Sequence, residues 1–537
     1  LVTPILGVHL REERGADRSI ALLQTARTAF VGRTLRGPLN RPVLVTSFVE
    51  FQRTFGGLWQ PSRLSYAVEH FFENGGGEAV IVRVGNGARA ATLTLRAGKE
   101  FLALQAASAG TREFLRTSVD YDNIAAHDES RFNVTVQRLR VQGGTHIEDQ
   151  EIFPQLSVLP GHERHVGDVL LRSELIRVVG PVPSLRPDRT LDASGNAAYV
   201  ASNCDGDDGA PLTDYDLIGS ELERTGLFAL ESCDYFNLLC TPPLARTEDV
   251  GPAVLMVAER YCKSRGAMLV VDPPYAWHTA DDALAGMREW DIKSENALMF
   301  FPRILAHDKL RGHFESFAPC GAVAAILARS DDTHPLWGEP RTDDAVLRPG
   351  YRPVCVVPED RRARLLLRGV NTLQSLRSVS RIGTKPRTLA AGAAVTADWQ
   401  SLAARRLALF IINCIERGTR WAATTERSAE VAQTVATQVR AFFERLHEHG
   451  AFGARRREQS YFVLCDRRFN AADEQGGEFQ FLIGFAAARA GEFHTYRICH
   501  SAARSRVTPA SLNRAKLAEL CPEELEWVDA LARQLAP

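Results

Sequence analysis

Few residues of this chain have types and spacing suited to chemistry. The apolar run 79–84 is followed by Gly85, Gly87 and Ala90, the outline of a G-x-G-x-x-A dinucleotide turn. Such a turn holds a pyrophosphate when a helix follows it, with an acidic residue about 20 positions on at a strand end. Here ATLTLRAG follows, alternating like a strand, and Glu100 comes too early. The glycines are therefore expected to be an exit into a further segment. Asp205, Asp207 and Asp208 in CDGDDG resemble the start of a calcium loop. An EF-hand needs a bidentate Glu at its twelfth position and flanking helices, whereas position 216 is Asp, so a solvated linker is expected. His447 and His449 lie two apart at a predicted helix end. That spacing points them to different faces and suits the helix dipole better than a shared metal. Asp272 and His278 could join a serine on paper, but no G-x-S-x-G elbow is present, and an Asp before Pro-Pro is commonly a turn former. No G-x-x-x-x-G-K-[ST] occurs. No catalytic residue, cofactor or metal site is expected.

The elements that would carry such residues come from a chain of 537 residues, long enough for several domains. It is 45% hydrophobic, and its 64 Lys and Arg nearly balance 65 Asp and Glu. A net charge of −1 supplies no global field toward nucleic acid or a membrane surface, and no apolar run reaches the ~20 residues of a membrane span. Ten cysteines are scattered without a C-x-x-C pair, mostly in apolar surroundings. They read as buried, reduced thiols of a protein assembled in the cytoplasm. Arg405, Arg406, Arg417, Arg420, Arg440, Arg445 and residues 455–457 interleave with acids from Glu416 to Glu458. That pattern fits a salt-bridged helix surface or a face that docks an acidic partner; with no aromatic set beside it, it does not fit nucleic acid.

The order of elements predicts an α/β (α+β), multidomain fold. Residues 1–28 read as a linker arm, in which Ile5, Leu6, Val8 and Leu10 form a strand without a nearby partner. Residues 29–87 read as strand, turn, strand, two helices, glycine stop and strand. Ser47 caps the first helix, with Phe48, Phe51 and Phe55 at helical spacing. Residues 88–204 show period-two stretches and read as a β-rich outer insertion. Residues 205–345 return to alternating strands and helices as a middle α/β domain. Residues 346–490 read as a C-terminal core, with a helix begun by Asp398 and a second ended by Gly450. Residues 491–537 read as a second arm, with a strand at 493–498 and an added helical tail.

Several separated segments resemble the contractile tail-sheath family. They are TPILGVHLRE, AFVGRTLRGPLNRPVLVTSFVEFQRTFGG, FFENGGGEAVIVRV, GLFALESCDYFNLLCTPP, LVVDPP, FAPCGAVAAILARSDDTHPLW, PRTLA, DWQSLAARRLALFIINCIERGTRWA and GEFHTYRI. They occur in family order and span nearly the whole chain. The resemblance covers sheaths of phages and of phage-derived injection systems alike. The chain departs from the family in lacking a Trp-Gly before PRTLA, in a short loop near Glu426 and in the tail after His500. The resemblance implies a structural subunit without enzymatic activity. It would polymerise as stacked hexameric rings around an inner tube and contract to drive the tube through a target envelope. Its other partners would be baseplate and cap proteins, with no nucleic acid and no membrane insertion. It would be assembled in the bacterial cytoplasm as part of a phage tail or injection particle. Ile5, Leu6, Val8, Leu10, Phe493, Tyr496 and Ile498 would be the intersubunit arms, and Arg440 and Arg445 the tube contacts. The helix around 404–420 is the second choice for the tube. Two other readings stand beside this one: a non-contracting cap or baseplate-adjacent homologue, and a dinucleotide-dependent enzyme built on residues 80–90.

Overall fold

A computed structural model describes residues 19–125, 127–140, 145–203, 205–290, 292–338, 345–376, 379–383, 385–390, 394–425, 429–454, 456–465, 478–489 and 492–510. As far as they are described, the residues form two compact units: Ala26–His334 with Pro340–Val395, and Thr396–Pro537 with Leu1–Thr25 and Pro335–Glu339.

The larger unit begins with β1 (Thr28–Gly32), β2 (Val43–Val45), α1 (Phe48–Phe55), α2 (Arg63–Glu73) and β3 (Ala79–Arg83). The Ser47 hydroxyl accepts the amide of Glu50, and the Glu50 carboxylate returns to the Thr46 amide at 2.8 Å. This reciprocal pairing satisfies helix-start donors that would otherwise be orphaned. α1 stops at Gly56, whose φ of 87° is a left-handed conformation that glycine adopts without strain. Phe51 and Phe55 are its buried residues, stacked at 5.4 Å.

Residues 90–201 follow as β4 (Ala90–Ala97), β5 (Glu100–Ala109), β6 (Phe114–Asp120), β7 (Arg131–Arg140), β8 (His146–Ser157), α3 (Val166–Leu170), β9 (Ile176–Val178) and β10 (Val200–Ala201). They make two antiparallel sheets, β4-β5-β9 and β10-β6-β7-β8. Alternate residues, among them Leu93, Leu95, Leu102, Leu104, Phe132 and Val134, build one shared core. The period-two pattern thus reports strands with one buried and one solvated face.

The chain then runs through α4 (Asp214–Ile218), β11 (Leu238–Cys240), α5 (Pro252–Arg265), β12 (Met268–Val271), α6 (Ala280–Glu289), β13 (Ala297–Phe301), β14 (Ile304–Asp308), β15 (His313–Phe317), α7 (Cys320–Thr333), β16 (Arg352–Pro353), α8 (Glu359–Leu366), β17 (Val370–Leu376) and β18 (Val379–Ile382). The main sheet has the order β18-β17-β13-β12-β11-β1-β3-β2. All its inner pairings, from β17 to β3, are parallel, and each outermost strand is antiparallel. β1, β3, β12 and β13 are buried at every position, as expected where helices cover both faces of a parallel sheet. α2 and α7 meet where Gly321 faces the Ala67 carbonyl, and a Cβ built there would lie 1.9 Å from that oxygen.

The domain boundaries differ from those expected. Residues 29–87 and 205–345 share one sheet, because β1 pairs directly with β11 in the register Thr28↔Leu238. That sheet runs on through β17 and β18, so residues 346–395 belong to it and not to a C-terminal core. Parallel pairing leaves no local mark in the sequence, since the partners are joined by long crossovers.

The smaller unit holds α9 (Leu402–Thr419), α10 (Ala429–Glu448), β19 (Tyr461–Leu464), β20 (Phe479–Phe485), β21 (His494–His500) and β22 (Ser505–Pro509). The strands form an antiparallel sheet in chain order. Leu407, Ile411 and Ile415 of α9, Val435, Val439 and Phe443 of α10, and Phe481, Ile483 and Ile498 of the sheet share its core. α9 is capped by Ser401 and not by the expected Asp398, which instead lies 3.6 Å from the His494 imidazole.

Gly321→Leu forces a side chain into the Ala67 carbonyl and is expected to cost about 3 kcal/mol, read as a lowered urea midpoint. An unchanged midpoint would show that α2 and α7 can separate freely.

Candidate assembly surface

The residues that looked most like chemistry are used as fasteners. Asp272, just beyond the end of β12, accepts the Cys320 amide at 2.8 Å, at the N-terminus of α7. Its second carboxylate oxygen is buried without a hydrogen-bond partner among the described residues, and burial raises its pKa to about 6. Asp214 accepts the Gly251 amide at 2.9 Å, at the N-terminus of α5. A helix N-terminus beside the carboxyl end of a parallel strand is where an α/β fold receives an anion. Here two such termini are occupied by carboxylates of the chain itself. The His278 amide bonds to Asp282, and its ring packs edge-on to Tyr275, so Asp272 and His278 do not form a charge-relay pair. His447 faces the Ser460 hydroxyl, while His449 faces the Arg445 carbonyl. Among the described residues no group of three or more His, Cys, Asp or Glu could hold a metal, and no helix is long and apolar enough to cross a membrane. Five of the described cysteines are buried: Cys240, Cys262, Cys320, Cys414 and Cys499.

Gly85 and Gly87 lead out of β3 toward β4, and the three aspartates lie where the chain returns. Isolated bridges join Asn86 to Ala210 and Arg89 to Asp207. Asp205 accepts the Thr92 amide at 2.7 Å and its hydroxyl at 2.8 Å, which holds its carboxyl below the usual range. Asp208 grips Thr111 in the same way, at 3.0 and 2.7 Å, and Arg33 donates to the carbonyls of Asp208 and Gly209. The expected solvated linker is therefore a laced stem. Beneath it Arg83, 2% exposed, donates to the carbonyls of Gly37 and Ala109, both at 2.7 Å. Arg36 reaches Glu148 on β8 at 2.8 Å, and Glu148 also meets Arg138. The stem's bonds are several, short and spread over both chain crossings, the conditions for the insertion to move with the main sheet.

In the smaller unit, β21 was expected as a free arm strand. It is internal, bonded to β20 on one side and β22 on the other. Tyr496 and Ile498 are buried, and Phe493 packs edge-on to Phe462 at 5.4 Å. Its hydrogen-bonding edges are taken up within the chain, so it has none to lend. The edges without a strand partner among the described residues are the outer sides of β19 and β22. Ile5, Leu6, Val8 and Leu10 lie outside the described residues.

The chain enters this unit over its helices. Ile20 is 1% exposed and sits on Gly418, where a Cβ would come within 2.8 Å of it. Arg445 donates to the Ile20 carbonyl at 2.6 Å, Arg406 to the Thr25 carbonyl at 3.1 Å, and the Leu23 amide meets the Cys414 sulfur at 3.5 Å. The two candidate tube contacts thus differ: Arg445 is engaged in holding this entering segment, whereas Arg440 is exposed on α10 and donates to the Val463 carbonyl at 3.5 Å. A groove of about 520 Å³ beside α10 is lined by Ile20, Gln433, Thr437, Ala441, Phe442 and Arg445. α9, the second choice for the tube, is largely core. The sequence held one signal for this anchor: a glycine inside a helix, which costs stability unless something needs the space.

Arg83→Ala is expected to take the guanidinium donor from both buried carbonyls, lowering stability by about 3 kcal/mol, with new proteolytic cleavage near 85–90 or 203–211. Wild-type cleavage resistance would contradict the stem's role. His500 is buried between the hydroxyls of Thr419 and Ser505, at 2.8 and 2.7 Å, and burial lowers its pKa to about 4. The unfolded chain takes up this proton near pH 6.5, whereas the native state does so only near pH 4. Stability should therefore hold above pH 6.5 and fall as pH drops from 6.5 to 4. His70, also buried with a pKa near 4, acts with the same sign. Denaturant melts across this range should show a shallower acid limb in His500→Gln; an identical limb would refute the assignment.

No protein-family model matches the sequence, and no curated protein sequence does. Solved structures do match. The sheath tail protein of Listeria innocua superposes with a TM-score of 0.59 at 13% identity, covering 90% of this chain and 96% of that one. The sheath tail protein of Desulfitobacterium hafniense gives 0.52 at 12% identity, covering 94% and 100%. The contracted sheath complex of PVC, an extracellular contractile injection system, gives 0.51 at 14% identity, covering 96% of each. At these identities the likeness is one of fold, and it runs nearly end to end: the chain has the fold of contractile tail-sheath proteins.

Proposed function

We propose that the chain is a structural subunit of a contractile tail sheath, not an enzyme. The observation that carries this reading is the whole-chain fold likeness to three sheath proteins, one of them contracted. The laced stem and the self-occupied helix termini support it, because they spend on cohesion the groups an enzyme would leave open. In this reading, copies stack as six-membered rings around an inner tube, with baseplate and cap proteins at the ends. Assembly takes place in the bacterial cytoplasm, and the product is a phage tail or an injection particle.

The Ile5–Leu10 strand of one copy adds to an open edge of another copy's smaller-unit sheet, beside β19 or β22. Strand addition supplies directional backbone hydrogen bonds, and side-chain pockets set the register. Ile20 and Arg445 anchor the root of that arm, so that tension in it is delivered to α9 and α10. Arg440 and the groove beside α10 face the tube. Contraction is a rigid-body rearrangement of packed subunits driven by energy stored at assembly, which calls for no nucleotide.

Purified protein should form long hollow cylinders in negative stain; discrete monomers or short caps would count against a contracting sheath. Deletion of residues 1–18, which spares Ile20, should leave folded subunits that do not polymerise, and normal cylinders from this variant would remove the arm from the mechanism. Arg440→Glu should weaken co-assembly with the tube about tenfold at unchanged melting temperature, whereas Arg445→Glu should lower the melting temperature itself.

A further inference from the structure

We propose that the C-terminal segment 522–536 of one copy docks in a groove between α5 and the end of α6 on a second copy. The choice of a second copy, and not the same chain, rests on the sheath reading. The groove has a volume of about 620 Å³, within the range that accepts a few large side chains. Its floor is apolar and includes Val250, Leu255, Met256, Trp290 and Ile292. Met256 is 64% exposed, and the Trp290 indole N–H has no acceptor among the described residues. An exposed methionine is a polarisable, adaptable contact at docking surfaces.

The charges around the groove are unevenly satisfied. Glu259 is paired with Lys263 at 2.8 Å, and Asp249 with Arg303 at 3.5 Å. Arg260 and Lys293 are exposed and have no ion-pair partner among the described residues; of the lining acids, the exposed Glu289 has none and neither has Asp272, whose carboxylate is buried below the rim. An occupant should therefore bring an apolar face, two or more carboxylates and room for a single cation.

The sequence of residues 522–536 meets that description. Pro522 followed by Glu523 and Glu524 is a helix-start pattern. At helical spacing, Trp527, Leu531, Leu535, Val528 and Leu525 share one side. Glu523, Glu526 and Asp529 share the other with one cation, Arg533, while Glu524 falls among the apolar residues in the first turn. Such a segment needs an apolar surface to lie on, and the groove offers one of matching charge.

The test replaces Trp527 with a photoreactive phenylalanine analogue in the full chain and mixes isotopically heavy and light protein under assembly conditions. Cross-links from position 527 to residues 250–294 in heavy–light pairs are expected. Cross-links confined to single chains would overturn docking on a second copy, and cross-links elsewhere, or none, would overturn the groove. Arg260→Glu with Lys293→Glu should lower the yield about tenfold, and Glu523→Lys with Glu526→Lys should restore it. An unchanged yield would reject the charge match. Negative stain of the same samples separates the two readings. Cylinders without the cross-link leave the sheath standing and reject the docking. Heavy–light cross-links without cylinders support the docking and reject the sheath.

Discussion

Parallel pairing at β1 is the constraint on which the larger unit depends. β1 lies between β3 and β11, parallel to both, and is buried at all five positions. Parallel neighbours cannot be joined by a tight turn, so each pairing requires a crossover. The crossover from β1 to β3 carries α1 and α2; those among β11, β12 and β13 carry α5 and α6. Such helices must shield the strands from water, because a parallel sheet presents no solvated face. Close approach then becomes a requirement, and Gly321 against the Ala67 carbonyl is where α2 and α7 meet it. The β-rich insertion leaves the chain after β3 and returns before β11, and so costs the sheet no pairing.

Polar groups do different work here from what their sequence neighbourhoods advertise. Asp272 and Asp214 end at helix amides, and Asp205 and Asp208 end on threonines of the insertion. Arg83 gathers buried carbonyls. Each converts a loop crossing into a fixed joint by supplying partners for backbone groups that burial would leave unsatisfied. Joints of this kind suit a body that is moved as a piece.

The smaller unit shows the same economy. Among the described residues its sheet is paired on both sides of β21 and open at its rims, and its entering segment is pinned by one buried isoleucine and two arginines, Arg406 and Arg445. Gly418 makes that pin possible: a side chain there would collide with Ile20.

Much of the local structure was legible from residues alone. Ser47 with the phenylalanines after it defined α1, the glycines at 75–77 marked the turn into β3, and period-two stretches marked the insertion. Those features depend on neighbours within a few positions, and backbone propensity and side-chain spacing report them directly. The sequence by itself therefore determined the elements around those features, but it did not mark the β14–β15 pair, α8 or β22. Tertiary structure alone decided that Thr28 pairs with Leu238, that residues 346–395 join the main sheet, that β21 is internal, and that Arg445 holds Ile20 while Arg440 faces outward. The physical reason is that periodicity records how far a residue is buried but not what buries it. The partner is chosen by contacts between segments hundreds of residues apart.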